Sequence, residues 1–290
     1  FPTKEFRVEN NQLWFHDVNL MEIIEQYGTP LKLSYLPKIS QNIQFAKKIF
    51  NDAIAKNKYE GTYSYCYCTK SSHFKFVLEE GLRNDIHLET SSAYDIPIIR
   101  RLNETGHFSK DRMVVCNGFK RPLYLQYIAD LINDGFKNTM PVLDNLDELA
   151  YYHKNVEGEF KVGIRIAADE EPNFAFYTSR LGIRYGDIVP HYKEMIAGTK
   201  AKLKLLHFFI NTGIKDTAYY WSELSRFVYK YCELKKICPD LDTIDIGGGF
   251  PIKNSLGFEY DYGYMADQIV SNIKWICQKN HVPVPNIISE

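Results

Sequence analysis

The feature that most constrains this chain is a regular alternation of short apolar runs with stretches of helical period that begins after residues 31–36. The runs end near Lys70, Glu89, Asn117, Asp144, Arg165, Asn211, Gly247 and Glu290. Eight strands alternating with helices predict a parallel sheet, and eight is the number that closes a barrel. The expected fold is therefore α/β, a (β/α)8 barrel of the TIM type. With 45% hydrophobic residues in 290, one large core is affordable. Between the strands, Ser91-Ser92 should open a helix ending near Gly106, and Arg121 to Asn133 should form another, stopped at Gly135. Asp144 to His153 should follow the fourth strand, and Tyr219 to Cys238 should be the longest helix.

The first 30 residues do not follow this rhythm. Residues 5–16 read as a hairpin turning at Asn10-Asn11, followed by a helix from Leu20 to Tyr27 with Asn19 as cap and Gly28 as stop. Residues 1–30 are expected to belong to, or pack on, a second β-domain, and residues 31–290 to form the barrel. The chain starts at Phe1 and stops directly after the strand-like run Asn286 to Ser289, which is expected of a piece of a longer protein.

A formal charge of −1 offers no field for nucleic acid. No apolar run reaches the ~20 residues of a membrane span, and no leader is visible. The six cysteines lack CxxC spacing and read as reduced core thiols of a cytoplasmic protein, with neither a disulfide framework nor a metal site expected. The sequon at Asn103 has no secretory signal to give it meaning.

Tyr63 to Lys70 carries the sharpest chemical signal. By strand alternation Ser64, Cys66, Cys68 and Lys70 share one face and Tyr63, Tyr65 and Tyr67 the other, so small residues fill a narrow interior and tyrosines pack outward. An isolated strand-end lysine is ordinarily solvated. At the carboxyl end of a barrel strand, where such folds build their active sites, it is instead placed to lose a proton and attack a carbonyl as a Schiff-base lysine. The same mouth should hold Glu89, Arg165, His207 and Asp245 to Gly249, where three glycines let backbone amides approach an anion such as phosphate. A triple glycine alone is more often a tight turn. Glu290, after Ile287-Ile288, would need a cationic partner if buried, for which a protonated pyridine nitrogen would serve.

Taken together, Tyr67-Cys68-Thr69-Lys70, His87-Leu88-Glu89-Thr90-Ser91-Ser92, Ser179-Arg180-Leu181-Gly182-Ile183, Asp245-Ile246-Gly247-Gly248-Gly249-Phe250 and Ile287-Ile288-Ser289-Glu290 resemble the pyridoxal-phosphate decarboxylases of the alanine-racemase fold. That group includes the diaminopimelate, ornithine and biosynthetic arginine decarboxylases, and the runs around Glu89 and Glu290 look closest to the last. The resemblance implies pyridoxal 5'-phosphate as cofactor, Lys70 as its covalent anchor and Glu290 as the partner of its pyridine nitrogen. It further implies phosphate binding by Gly247, Gly248, Gly249 and Thr212, and Glu89 and Arg165 near the lysine and ring oxygen. One departure stands out: His207-Phe208-Phe209-Ile210-Asn211-Thr212-Gly213 replaces an H-x-H-I-G-S-like segment, so Phe209 takes the place of a stacking histidine and Asn211 that of a glycine. Phenylalanine can stack but cannot carry a proton. By itself, His207 reads more readily as a satisfied core histidine than as a catalyst.

The resulting expectation is a decarboxylase making agmatine from L-arginine for polyamine synthesis, a homodimer or higher homo-oligomer when full length. Its carboxyl-terminal β-domain is expected beyond residue 290. Diaminopimelate is the nearest alternative substrate. A catalytically weakened regulatory homologue, and a barrel lyase or aldolase using Lys70 directly without pyridoxal, are the competing classes.

Overall fold

The computed structural model describes residues 5–167, 182–208, 210, 217–251 and 260–290. Strands β1 (Phe6–Glu9), β2 (Gln12–Phe15) and β3 (Val18–Asn19) form a small antiparallel sheet. Asn10 and Asn11 both take positive φ, 50° and 60°, as the tight hairpin turn requires. Helix α1 (Leu20–Tyr27) starts where the Asn19 side chain accepts from the Met21 N–H and stops at Gly28, φ 77°, whose N–H donates to Ile24 O.

Helix α2 (Leu36–Lys56) leads into the barrel. There follow β4 (Tyr63–Cys68), α3 (Lys75–Leu82), β5 (His87–Thr90), α4 (Asp95–Glu104), β6 (Val114–Cys116), α5 (Pro122–Asn133), β7 (Thr139–Leu143), α6 (Glu148–Asn155) and β8 (Phe160–Arg165). After these come α7 (Tyr185–His191), which runs into one π turn, β9 (Ala201–His207), α8 (Thr217–Lys235), β10 (Thr243–Asp245), α9 (Tyr262–Lys279) and β11 (Asn286–Ser289). The strands β4 to β11 pair in parallel in sequence order, and β11 pairs back onto β4 to close the barrel.

Several boundaries differ from the sequence expectation. The fourth barrel strand ends on Leu143 and its helix begins only at Glu148, because the Asn145 side chain accepts from the N–H groups of Asp147 and Glu148 and caps the helix there. Ser91 and Ser92 do not open α4 themselves. Their N–H groups donate to the carboxylate of Asp95, which makes a turn before the helix. Strand β9 ends at His207 rather than near Asn211, and α8 is shorter than α2, at 19 residues against 21.

Alternation sorts the barrel as expected. Cys66, Val115, Met140, Val142, Leu205 and Ile288 form the apolar interior. Outward, Tyr63 stacks on Phe50 of α2 with ring centroids 4.1 Å apart, and Tyr65 and Tyr67 pack against the large cluster shared with the helices. Gly163 is required inside, since a Cβ there would come within 2.8 Å of Leu205 Cδ2 and 3.1 Å of Val142 Cγ2. All six cysteines are free. No helix among the described residues is long and apolar enough to cross a membrane.

Candidate active site

The carboxyl ends of β10, β11, β4 and β5 are neighbours in the closed sheet, so the glycine loop, Glu290, Lys70 and Glu89 arrive at one side of one mouth. Lys70 Nζ lies 3.5 Å from Glu89 Oε2 and 4.0 Å from Glu290 Oε2. The two carboxylates are buried, whereas the lysine side chain is 55% exposed. Burial would lower the Lys70 pKa, but Glu89, Cys68 and Glu290 outweigh it, and the net direction is up. The sequence reading expected burial behind this lysine to favour loss of its proton; in the protein alone the flanking carboxylates hold the proton on.

Each carboxylate is fixed by its strand neighbours. Ser91 Oγ donates to Glu89 Oε1 at 2.7 Å, while Glu89 Oε2 has no hydrogen-bond partner. Glu290 accepts from Asn117 Nδ2 and lies 3.7 Å from Cys68 Sγ. Its N–H donates to Gly247 O at 3.0 Å. Burial and the charge of Glu89 push the Glu290 carboxyl up to about 7, against the opposing pull of Lys70, Asp245 and Asn117. Burial, with Glu290 beside it, also drives Asp245 well above the usual carboxylate range. Asp245 Oδ1 accepts from the Gly247 N–H at 2.8 Å, and Oδ2 has no partner.

The glycine loop is built for close approach. Gly247 and Gly249 take φ of 66° and 82°, left-handed values that L side chains rarely adopt. A Cβ on Gly248 would fall 2.8 Å from the Glu290 carbonyl oxygen. Backbone amides stripped of side chains in this way can come close to a phosphate group.

Across the mouth, His207 is buried, its Nδ1 lies 3.4 Å from Asn117 Oδ1, and its Nε2 has no partner. Burial, then the charges of Arg165, Lys70 and Lys120, push its pKa well down, so the ring is neutral at neutral pH. Arg165 Nε lies 4.0 Å from Asp144 Oδ1. Below them Lys120, fully buried at its side chain, pairs with Glu148 at 3.1 Å and donates to the Val142 and Gly118 carbonyls. Gly182-Ile183 docks on the end of β8, the Ile183 N–H donating to Arg165 O at 2.8 Å.

The structure thus brings together Lys70, Glu89, Arg165, His207, Gly247, Gly248, Gly249 and Glu290 at one face. Phe209, Asn211, Thr212 and residues 179–181 lie outside the described residues. Asp245 was placed at this mouth from sequence as the start of the glycine motif, without a role of its own; Asn117, Asp144 and Lys120 were not singled out as site residues. The first two of these were visible only as strand ends, and Lys120 had no signal beyond its chain position. Three buried polar atoms lack a hydrogen-bond partner at this mouth beside the cradle of glycines: Glu89 Oε2, which has only the Lys70 ammonium 3.5 Å away, His207 Nε2, and Asp245 Oδ2 beside Glu290. A group with a polar aromatic ring and a phosphate fits that set. Two triads, Cys68/Glu89/Glu290 and His207/Asp245/Glu290, hold ligand-type atoms within 4.8 Å of one another. The Lys70 ammonium supplies a cation beside Glu89 and Glu290.

The family described as "Pyridoxal-dependent decarboxylase, pyridoxal binding domain" matches residues 43–290. The biosynthetic arginine decarboxylase of Prochlorococcus marinus (strain AS9601) is 26% identical over 314 residues, covering 99% of this chain and 47% of the relative. This chain therefore spans about half the length of the curated relatives it matches. Among solved structures, the biosynthetic arginine decarboxylase SpeA from Campylobacter jejuni superposes with a TM-score of 0.79 at 18% identity, covering 99% of this chain and 50% of that one. Diaminopimelate decarboxylase from M. jannaschii in complex with L-lysine superposes with a TM-score of 0.80 at 15% identity, covering 100% and 66%.

Proposed function

This chain belongs to the pyridoxal-dependent decarboxylases, as their pyridoxal-binding domain, and from that premise we propose that the full protein removes carbon dioxide from a basic amino acid, L-arginine first. The observation that carries the reading is the Lys70 amine between Glu89 and Glu290, on adjoining strands beside the glycine loop. When bound, pyridoxal phosphate supplies the electron sink for the pair left behind as carbon dioxide departs.

The chain's own residues have distinct tasks in this reading. Lys70 would anchor the cofactor covalently, and for that would first have to give up the proton that Glu89 and Glu290 hold in place. Gly247, Gly248, Gly249 and, by its place in the motif, Thr212 would hold the phosphate. Glu290, kept in place by Asn117, holds a proton at the pyridine nitrogen. Asp245 fixes the loop by accepting from the Gly247 N–H. Glu89 and Arg165 would lie near the lysine and the ring oxygen and neutral His207 would lend a polar edge, while Phe209, in the place of the family's histidine, could stack but not carry a proton.

Arginine is favoured by relatives named biosynthetic arginine decarboxylase, and the product would be agmatine, feeding polyamine synthesis in the cytoplasm. A diaminopimelate decarboxylase of the same fold keeps that substrate in second place. The active form is proposed to be a homodimer. Phe209 and Asn211 favour one further reading, a weakened regulatory homologue, which would bind no yellow cofactor. Borohydride reduction of the full-length protein with pyridoxal phosphate, followed by peptide mapping, should label Lys70. Side-by-side assays with L-arginine and meso-diaminopimelate should then favour arginine. Absence of label on Lys70 would overturn the cofactor assignment, and preference for diaminopimelate the substrate.

A further inference from the structure

The turn after β6 runs Asn117, Gly118, Phe119, Lys120, and Asn117 at its start is the residue that donates to Glu290 and faces His207 Nδ1. Apolar packing does not hold this turn down, because Phe119 is 61% exposed. Gly118 turns the chain at φ 77°, a left-handed value suited to glycine. The Lys120 amine then folds back to donate to Gly118 O at 2.9 Å, on a side chain that is wholly buried.

Three acceptors surround that amine. Besides Gly118 O it donates to Val142 O of β7 and lies 3.1 Å from Glu148 Oε2 of α6. Glu148 Oε1 accepts from the Lys120 N–H at 3.4 Å and from Asn145 Nδ2 at 3.1 Å, so one carboxylate grips both ends of this lysine. On the other side the Asn117 N–H donates to Thr90 O of β5 at 2.8 Å. The turn is thereby strung between β5 and the end of β7 with the start of α6. Taking an ammonium out of water is costly, and a buried ion pair returns little net stability over an apolar pair of similar volume. What it does supply is a directional hold on the carbonyl next to Asn117, which an apolar side chain cannot provide.

We infer that Lys120 is a positioning residue for the proposed decarboxylation: clamped by Glu148, it fixes the turn at Gly118 so that Asn117 presents its amide N–H to Glu290 and its oxygen to His207. The inference rests on the function proposed above for its effect on turnover, whereas the placement of Asn117 against Glu290 belongs to the protein without cofactor. The titratable groups facing Glu290 from its neighbours, Lys70, Cys66, Cys68, Glu89, Asp245 and His207, are left intact by a substitution at Lys120.

The test is a double-mutant cycle in the full-length protein, with Lys120→Met, Asn117→Leu and the two combined. In Lys120→Met, borohydride should still label Lys70, and kcat should fall ~10- to 100-fold with KM within about twofold of wild type. In the Asn117→Leu background the same substitution should cost no more than about a further twofold. The cycle is repeated on cofactor-free protein by urea melts from about pH 5 to about pH 9. The Asn117 bond holds the Glu290 carboxyl down, so its loss raises that group further. Both single variants and the combination should therefore move the fall in stability to higher pH by the same amount. Losses that add, or a Lys120→Met protein matching wild type in kcat or in its cofactor-free pH profile, overturn the inference. If wild type releases no carbon dioxide or Lys70 takes no label, the proposed function fails, and the cofactor-free cycle still decides the role of Lys120. If Lys120→Met does not fold, Lys120→Met/Glu148→Leu, which removes the pair together and leaves no buried charge unmatched, is read in the same way.

Discussion

Asn117 and Glu290, 173 residues apart in sequence, are hydrogen-bonded across the barrel mouth, amide to carboxylate. The oxygen of the same amide faces His207 Nδ1 at 3.4 Å. One asparagine thereby orients both a buried acid and a buried imidazole. Asn117→Leu keeps the volume but strips Glu290 Oε1 of its donor. The variant should lose about 1–3 kcal/mol of stability, the usual cost of an unsatisfied buried polar group. Urea melts of the cofactor-free protein measure this, and an unchanged midpoint would refute the assigned bond.

Glu290→Gln should bind pyridoxal phosphate within a few-fold of wild type, because on the proposed reading the glycine loop holds the phosphate. Turnover should fall ~100- to 1,000-fold, the range seen when a preorganised electrostatic group is removed. Cofactor absorbance titration and carbon dioxide release on the same preparations separate the two effects. Equal losses in both would mean that Glu290 serves binding alone.

The raised carboxyls fix a pH dependence of stability. Glu290, ordinarily near 4.5, is lifted to about 7, and Asp245 moves in the same direction. Over that interval the folded protein keeps protons that the unfolded chain releases. Stability is therefore fullest below the unfolded values and declines as pH rises through the folded ones. The cofactor-free protein should be on the order of 1–3 kcal/mol less stable at about pH 8 than at about pH 5 from this source. In Glu290→Gln the slope should be shallower; an identical slope would exclude Glu290 as the titrating group.

Gly248→Ala tests the cradle. Its φ is not in the left-handed region, so the cost is steric: the new Cβ would meet the Glu290 carbonyl oxygen at 2.8 Å, and backbone cannot yield cheaply. Forced displacement of the loop should cost about 1–3 kcal/mol. Cofactor affinity should fall with it, as an absorbance titration would show. Wild-type affinity would mean that the loop does not hold the phosphate.

The barrel was legible because its strands are short apolar runs of period two that stop at polar residues, and those stopping points gather at one mouth. Lys70, Glu89, Arg165 and Glu290 were placed there in this way. Asn117 and Asp144 stand at equivalent positions and were read only as strand ends, since Asn and Asp after a strand carry the same signal as an ordinary turn. Lys120 looked like any surface lysine. Only its tertiary pairing with Glu148 and two carbonyls draws it inside. The charge state of Lys70 was likewise beyond a linear reading, because it is set by carboxylates on neighbouring strands distant in the chain. The shifted start of α6 follows from an asparagine capping one turn later than periodicity suggested.

The seam between β11 and β4 joins residues as far as 226 apart in sequence, as in the bond between Tyr63 and Ser289. Loop closure over that span must be met before either strand gains from the contact, so it belongs to the slow, non-local part of folding. Lys70 and Glu290 stand on opposite sides of this seam. Their meeting is therefore contingent on the last and most distant pairing in the barrel. A nascent chain that has made every earlier strand still keeps Lys70 and Glu290 apart, so on the proposed reading acquisition of the cofactor's colour would serve as a clock for closure of the barrel.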